Sequence, residues 1–211
     1  MAILKLLVGV GAVGGVVVGG ALSYKLGIFD GKVVPSTVKQ RLKKGGYELI
    51  SESSKDQWKT SFNAFKSDSS FISEINKHSD KDAILTNADD GEKGKVALEK
   101  MCNSYLKGSD DFENASKWCV LRMQDKSPSK GWLPLTDGNN DAGANKTKWE
   151  SAFETHKTAL SNNNIKGITT STQKEQGHTL LKQWCTDNLP LPFNKDRASI
   201  FANASHWCSV P

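Results

Sequence analysis

Arginine is nearly missing from this 211-residue chain: it stands only at positions 41, 122 and 197. No arginine-rich stripe and no basic motif interleaved with aromatics occurs, and the lysines are scattered among Asp and Glu. The formal charge of +5 therefore reads as solvated surface, and no nucleic-acid partner is expected. None of the four cysteines forms a Cys-x-x-Cys pair, which argues against a zinc ribbon and a thioredoxin-type site. No glycine-rich loop follows a strand pattern, so a phosphate-binding loop is not expected. Hydrophobic residues make up 37% of the chain, little for one large core. Two small modules with an added source of stability suit that figure better.

The one long apolar run lies at the N-terminus. Lys5 precedes an uninterrupted stretch from Leu6 to Leu22, and Lys25 closes it. Its length is at the short edge of a membrane span, which needs about 20 residues. Gly19-x-Ala21 also fits a signal-peptidase pattern, but we favour an uncleaved signal anchor over 1–25, with 26–35 as a linker. No cysteine lies near the run, so lipid attachment at a processed cysteine is not available. Gly11, Gly15 and Gly19 form a small-xxx-small face along the span. Such a face lets two membrane helices approach closely, so weak self-association through it is one expectation. The plainer alternative is that these glycines only dilute the anchor. Lys32, Lys39, Arg41, Lys43 and Lys44 follow the span, which by the positive-inside rule holds the body in the cytoplasm. The cysteine pattern below argues for the opposite side.

The rest of the chain is written twice. Asn-Ala-Ser-x-Trp-Cys occurs at 114–119 and again at 203–208. Upstream, Leu98-x-x-x-Cys102 matches Leu181-x-x-x-Cys185, and Trp58-x-x-x-Phe62 matches Trp149-x-x-x-Phe153. Earlier still, Gly46-Tyr47 is set against Gly131-Trp132. The order of the anchors defines a first unit over 36–125, a linker over 126–146 and a second unit over 147–211, with 128–135 packing on the second unit.

Each unit reads as helical. Trp58, Phe62 and Phe65 fall at i, i+4 and i+7, one face of a helix that Ser53 or Ser54 caps. Trp149, Phe153 and Leu160 do the same after an Asn145 cap. Val96 to Tyr105 mark a second helix ended by Gly108, and Asp110 and Asp111 open a third. Ser36 to Lys44 reads as a short helix ended by Gly45-Gly46, and Asp196 to Trp207 as the last helix. The fold class is thus mostly α: a membrane helix followed by two divergent repeats of a small stapled unit.

Each unit carries one cysteine in its middle helix and one at its end, 17 and 23 positions apart. The extra residues fall in a loop with Pro190 and Pro192, while the neighbours of each cysteine are kept. The spacing predicts bridges Cys102–Cys119 and Cys185–Cys208, with Trp118 and Trp207 packed beside them as core. Closing a loop of that size contributes about 3 kcal/mol in the chain-entropy account. Disulfides persist in oxidising compartments, which places the body outside the cell.

Little points to catalysis. The histidines are 78, 156, 178 and 206. His206 and Cys208 stand at i and i+2, where helical side chains diverge, and Lys117 holds the position matching His206. No ligand spacing for a metal is present, so no catalytic residue, metal or cofactor is expected. Asn114, Asn145 and Asn203 each begin an N-glycosylation sequon, which matters only in a eukaryotic secretory pathway.

Taken in order, the apolar Gly/Val-rich start, Gly46-Tyr47-Glu48-Leu49, the Trp helix, the Leu-x-x-x-Cys helix, Lys117-Trp118-Cys119-Val120 and the closing Trp207-Cys208-Ser209-Val210-Pro211 resemble a known group. It is the large paralogous families of uncharacterised membrane or surface proteins of haemotropic mycoplasmas. The resemblance covers nearly the whole chain; Lys117 stands where that element usually carries Arg. It implies a single-pass protein of the cell membrane in a wall-less bacterium that attaches to red blood cells. It also implies many variable copies, contact with host cells or antibodies, and no use for the sequons. It brings no catalytic residues.

Overall fold

The computed structural model describes residues 36–80, 84–136 and 142–210. The signal anchor expected over 1–25, with Gly11, Gly15 and Gly19, lies outside the described residues. Among the described residues no helix is long and apolar enough to cross a membrane.

Among the described residues, eight α-helices follow one another: α1 (Val38–Lys44), α2 (Lys55–Phe65), α3 (Ser69–Ile75), α4 (Glu92–Lys107), α5 (Phe112–Trp118), α6 (Ala142–Asn162), α7 (Lys174–Asn188) and α8 (Ala198–Trp207). Single 3₁₀ turns span Met123–Asp125 and Lys195–Arg197. Extended pairing among the described residues is limited to three isolated antiparallel bridges. The chain is mostly α, as its periodicity predicts.

Local sequence explains the helix limits. The Thr37 hydroxyl accepts from Gln40 N–H, and the Gln40 side chain reaches back to Thr37 N–H, so α1 opens in a closed capping box. Gly45 ends it. Asp68 caps α3 through Ser70 and Phe71 N–H. Ser54 is the N-cap of α2 but makes no side-chain cap bond. The expected Asn145 cap is displaced: α6 already begins at Ala142, so Asn145 sits inside its first turn, buried.

Two hydrophobic clusters fill this body. The first runs from Val38 to Val120 and centres on Trp58, Phe62, Phe71, Leu98, Met101 and Cys102. The second runs from Met123 to Cys208 and centres on Trp149, Phe153, Leu160, Leu181, Leu189 and Cys185. Leu133, in the 128–135 part of the stretch between the units, is buried in the second. Both clusters lie in one compact unit, Ser36–Pro211.

In each half two long helices pack side by side. Lys55 pairs with Glu99 and Lys59 with Glu92, both at 2.6 Å, so α2 and α4 run antiparallel. At the centre of that pair the Phe62 ring lies on Gly94: a Cβ there would stand 2.5 Å from ring carbons. In the second half the Phe153 ring lies on Gly177 of α7, where a Cβ would meet it at 2.1 Å. Gly94 is four residues before Leu98, and Gly177 four before Leu181, so the two glycines are one further anchor of the repeat. Glycine in a helix interior costs about 1 kcal/mol against alanine. Here it lets the two backbones approach with a phenyl ring between them.

The entry and exit of each half are tied to each other. Leu49 bridges Val120, and Trp132 bridges Ser209. Ile50 N–H donates to Cys119 O (3.2 Å) and Leu133 N–H to Cys208 O (2.8 Å); Leu121 N–H donates to Glu48 O (2.7 Å) and Val210 N–H to Gly131 O (3.0 Å). This register makes Trp132 the counterpart of Leu49, two residues away from the alignment of Trp132 with Tyr47. Gly46 and Gly131 both turn with positive φ, +74° and +81°, which is what the eye matches in sequence. The first half places two more residues between that turn and the bridge.

A buried ion pair sits where one cluster gives way to the other. Arg122 donates to Asp125 through Nε (3.0 Å), Nη2 (2.8 Å) and its backbone N–H (2.8 Å), and both side chains are almost wholly buried. Alongside, Met123 N–H donates to Leu191 O, Gln124 N–H to Leu189 O, and Phe193 N–H to Leu121 O. Pro192, which bridges Arg122, lies between the paired positions, where its missing N–H costs nothing.

Gly94→Ala and Gly177→Ala are each expected to destabilise the fold by about 1–2 kcal/mol, because overpacking outweighs the gain in helix propensity. Gly143→Ala, with open space around it, is expected to be neutral or mildly stabilising. Urea unfolding of the three variants checks the contrast.

Candidate functional site

The expected bridges are both formed. Cys102 bonds Cys119 with Cα atoms 5.5 Å apart, and Cys185 bonds Cys208 at 5.9 Å, both within ordinary disulfide geometry. The helix stripes explain the meeting. In α4 the buried positions are Gly94, Ala97, Leu98, Met101, Cys102 and Tyr105, spaced by three and four, so Cys102 faces the core. The short α5 buries Ala115 and Trp118 and delivers Cys119 as its C-cap. The second half repeats this with Gly177, Leu181 and Cys185 on α7, and with Ala204, Trp207 and the C-cap Cys208 on α8. All four cysteines are fully buried.

Trp118 and Trp207 lie in the core beside their bridges. The Trp118 ring meets Phe71 at 5.3 Å between centroids, and Trp207 meets Trp184 at 5.1 Å. Bridge, indole and a second ring thus form one packed layer in each half.

The remaining polar side chains form separate small groups. The Tyr105 hydroxyl donates to Glu74 at 2.7 Å, and His78 stands edge-on to the Tyr105 ring. Burial, with Glu74 second, holds the phenol well above its ordinary range. Asp68 accepts from Ser70 and from Lys117 and is held well below the usual carboxylate range. Lys117, standing where the resemblance leads one to expect Arg, also lies over the Trp118 ring. Glu92 accepts from Lys59 and Lys95 and is lowered to about 2. The lysine–carboxylate pairs lie at the surface, each of small energetic weight.

His206 has no thiol to act on, since Cys208 is in a bridge. His156 and His206 share a cleft of about 320 Å³ with Lys130, Thr155 and Ser205. The His156 pKa is lowered, first by burial and then by repulsion from His206. The Thr155 and Ser205 hydroxyls donate to carbonyls one turn back in their own helices. His178 lies elsewhere, its ring against the Lys174 carbonyl at 2.9 Å. Among the described residues no group of three or more His, Cys, Asp or Glu side chains could hold a metal ion. Gly11, Gly15 and Gly19 lie outside the described residues.

Sequence reasoning missed three features: the Phe-on-Gly seats, the Arg122–Asp125 clamp and the convergence of His156 with His206. The seats left a signal, since Gly-x-x-x-Leu-x-x-x-Cys occurs in both halves. The clamp left only an i, i+3 charge pair. The histidines, fifty positions apart, left none.

In comparisons with known proteins, no family model, no curated protein and no solved structure matches this chain.

Opening either bridge by a double Cys→Ser substitution is expected to cost about 3 kcal/mol in thermal or denaturant unfolding. His156 makes the fold sensitive to acid. Its folded pKa lies below the unfolded value of 6.5, so its contribution is complete above pH 6.5 and is lost as pH falls through the folded value. His156→Gln is expected to flatten the fall in Tm just below pH 6.5.

Proposed function

We propose that the chain is a single-pass, membrane-anchored protein whose helical body faces the outside of the cell. It serves there, without catalysis, as an antigen or a host-contact surface. The observation that carries this reading is the pair of disulfides inside the two hydrophobic clusters. Bridges of this kind form and persist in oxidising compartments and are rare in the cytosol. The apolar run Leu6–Leu22 supplies the anchor, and Gly11, Gly15 and Gly19 a face for weak self-association in the membrane. The resemblance to the surface proteins of haemotropic mycoplasmas points the same way. Its partners are then the membrane and a host-cell surface or antibody; no nucleic acid and no cofactor takes part.

Lys32, Lys39, Arg41, Lys43 and Lys44, directly after the apolar run, favour a second reading. A positively charged flank stays in the cytoplasm, which makes the body a membrane-attached scaffold with reduced thiols.

Intact cells making the protein, treated with an impermeant amine label and alkylated before non-reducing peptide mapping, decide between the two. The surface reading expects labelled lysines on the body and linked peptides joining Cys102 to Cys119 and Cys185 to Cys208. Four alkylated thiols and an unlabelled body overturn it in favour of the scaffold.

A further inference from the structure

His156 and His206 hold places that the first half fills with other residues. His156 follows Trp149 by seven positions, and the residue seven after Trp58 is Phe65. His206 stands two before Cys208, where Lys117 stands two before Cys119, and Ser209 matches Val120. Lys117 has a carboxylate partner: it pairs at 2.9 Å with Asp68, the cap of α3. The second half has no such carboxylate in register. Asp68 lies three positions beyond Phe65, and three beyond His156 stands Ala159, inside α6. The closing helix thus keeps its basic residue and loses the counter-charge.

These changes meet in the cleft of about 320 Å³. Lys130 from the turn before Trp132, His156 from α6 and His206 from α8 are the titratable groups on its lining. The third helix of this half, α7, packs against both others and adds none. No carboxylate lies on the lining, and among the described residues none pairs with any of the three. His156 is held toward its neutral form, first by burial and then by the charge of His206, and the His206 carbonyl offsets this only in part. Ser209 adds a hydroxyl from a residue only 8% exposed, where the first half buries the apolar Val120. Its bond to the His206 carbonyl, at 3.4 Å, is long for an O–H···O contact, so that proton is loosely held. A hydroxyl buried in place of a hydrocarbon costs free energy unless a good acceptor meets it.

We propose that this cleft binds a tetrahedral oxyanion, the phosphate or sulfate group of a free ion or of a sugar ester. Such a group supplies the charge that Asp68 supplies in the first half. Its oxygens accept from the Lys130 ammonium, from a ring N–H of each histidine and from the Ser209 hydroxyl. With the anion in place the repulsion between the two rings is offset, and the rings take up protons as it enters. Affinity is therefore high where the rings carry protons and falls as pH rises through the range in which they lose them. The first half has no equivalent site. Phe65 and Val120 are apolar there, and Asp68 already holds the Lys117 ammonium.

The test is a titration of the purified full chain with sodium sulfate, replacing sodium chloride at constant ionic strength, followed through the four imidazole C–H signals by NMR. Sulfate keeps its double charge throughout the range in which histidine titrates, so any pH dependence belongs to the protein. Inorganic phosphate and glucose 6-sulfate are the other probes. The expected result is a saturable shift of the His156 and His206 signals, with Kd on the order of 1 mM near pH 6 and about tenfold weaker near pH 8. The His78 and His178 signals stay in place. Ser209→Val, which installs the residue of the first half, and His206→Gln, at an exposed position, each weaken sulfate severalfold with the His78 and His178 signals unchanged. Tighter binding of the sugar ester assigns the ligand to an esterified sugar, and equal binding to the free ion; both support the site. Equal shifts of all four histidines overturn it, as does a His156 signal that does not move. So does an affinity indifferent to pH, or one that neither substitution alters.

Discussion

In each half two long helices approach so closely around a buried phenylalanine that no side chain fits on the facing helix at the point of contact. In each half that position is a glycine, Gly94 or Gly177, directly beneath the ring. The close approach fixes which face of the second helix meets the first. It thereby sets where the residue eight positions further along must point, and that residue is Cys102 or Cys185. The disulfide partner then arrives from the closing helix, whose cap is the second cysteine. The bridge reads as a consequence of helix spacing, and the spacing as a consequence of one missing Cβ. The cost in helix propensity, about 1 kcal/mol per glycine, is small beside the burial of a phenyl ring.

Much of this was legible in the chain itself. Cysteine, tryptophan and the apolar stripe are chemically loud: each has few interchangeable substitutes in a small core, so their spacing survives while loops drift. The order Trp58, Phe62, Leu98, Cys102, Trp118, Cys119 against Trp149, Phe153, Leu181, Cys185, Trp207, Cys208 was enough to predict a mostly helical body and both bridges. Glycine is quiet in that sense. Inside a helix it reads as a weak point, and only the ring lying on it reveals a seat. Between Pro128 and Leu135 the turn formers carry Trp132, Leu133 and Leu135, and these apolar residues pack on the second cluster. Asn145 looked like a cap because nothing upstream of it in sequence announces a helix.

The candidate sites were less legible, for a different reason. His156 and His206 come from helices that meet only in the folded chain. Trp58 Nε1 is buried without an acceptor where Trp149 Nε1 donates to Pro134 O, a difference that no pattern of residue types records. Comparing the halves exposes it: the same tryptophan in the same helix position has a partner in one and none in the other. An internal repeat thus serves as its own reference structure, and differences between its copies mark places where function has room to enter.

The two loops closed by disulfide, of 17 and 23 positions, have a consequence for mechanics. An extended chain spans about 3.5 Å per residue. A pull applied along the backbone cannot draw out the residues between bridged cysteines, so ~140 Å of contour length is withheld from extension however hard the helices are peeled apart. A body tethered at one end and gripped at the other then lengthens only through its remaining segments. Reduction of the bridges under such a pull makes that length available, at the cost of drawing α5 and α8 out of their clusters.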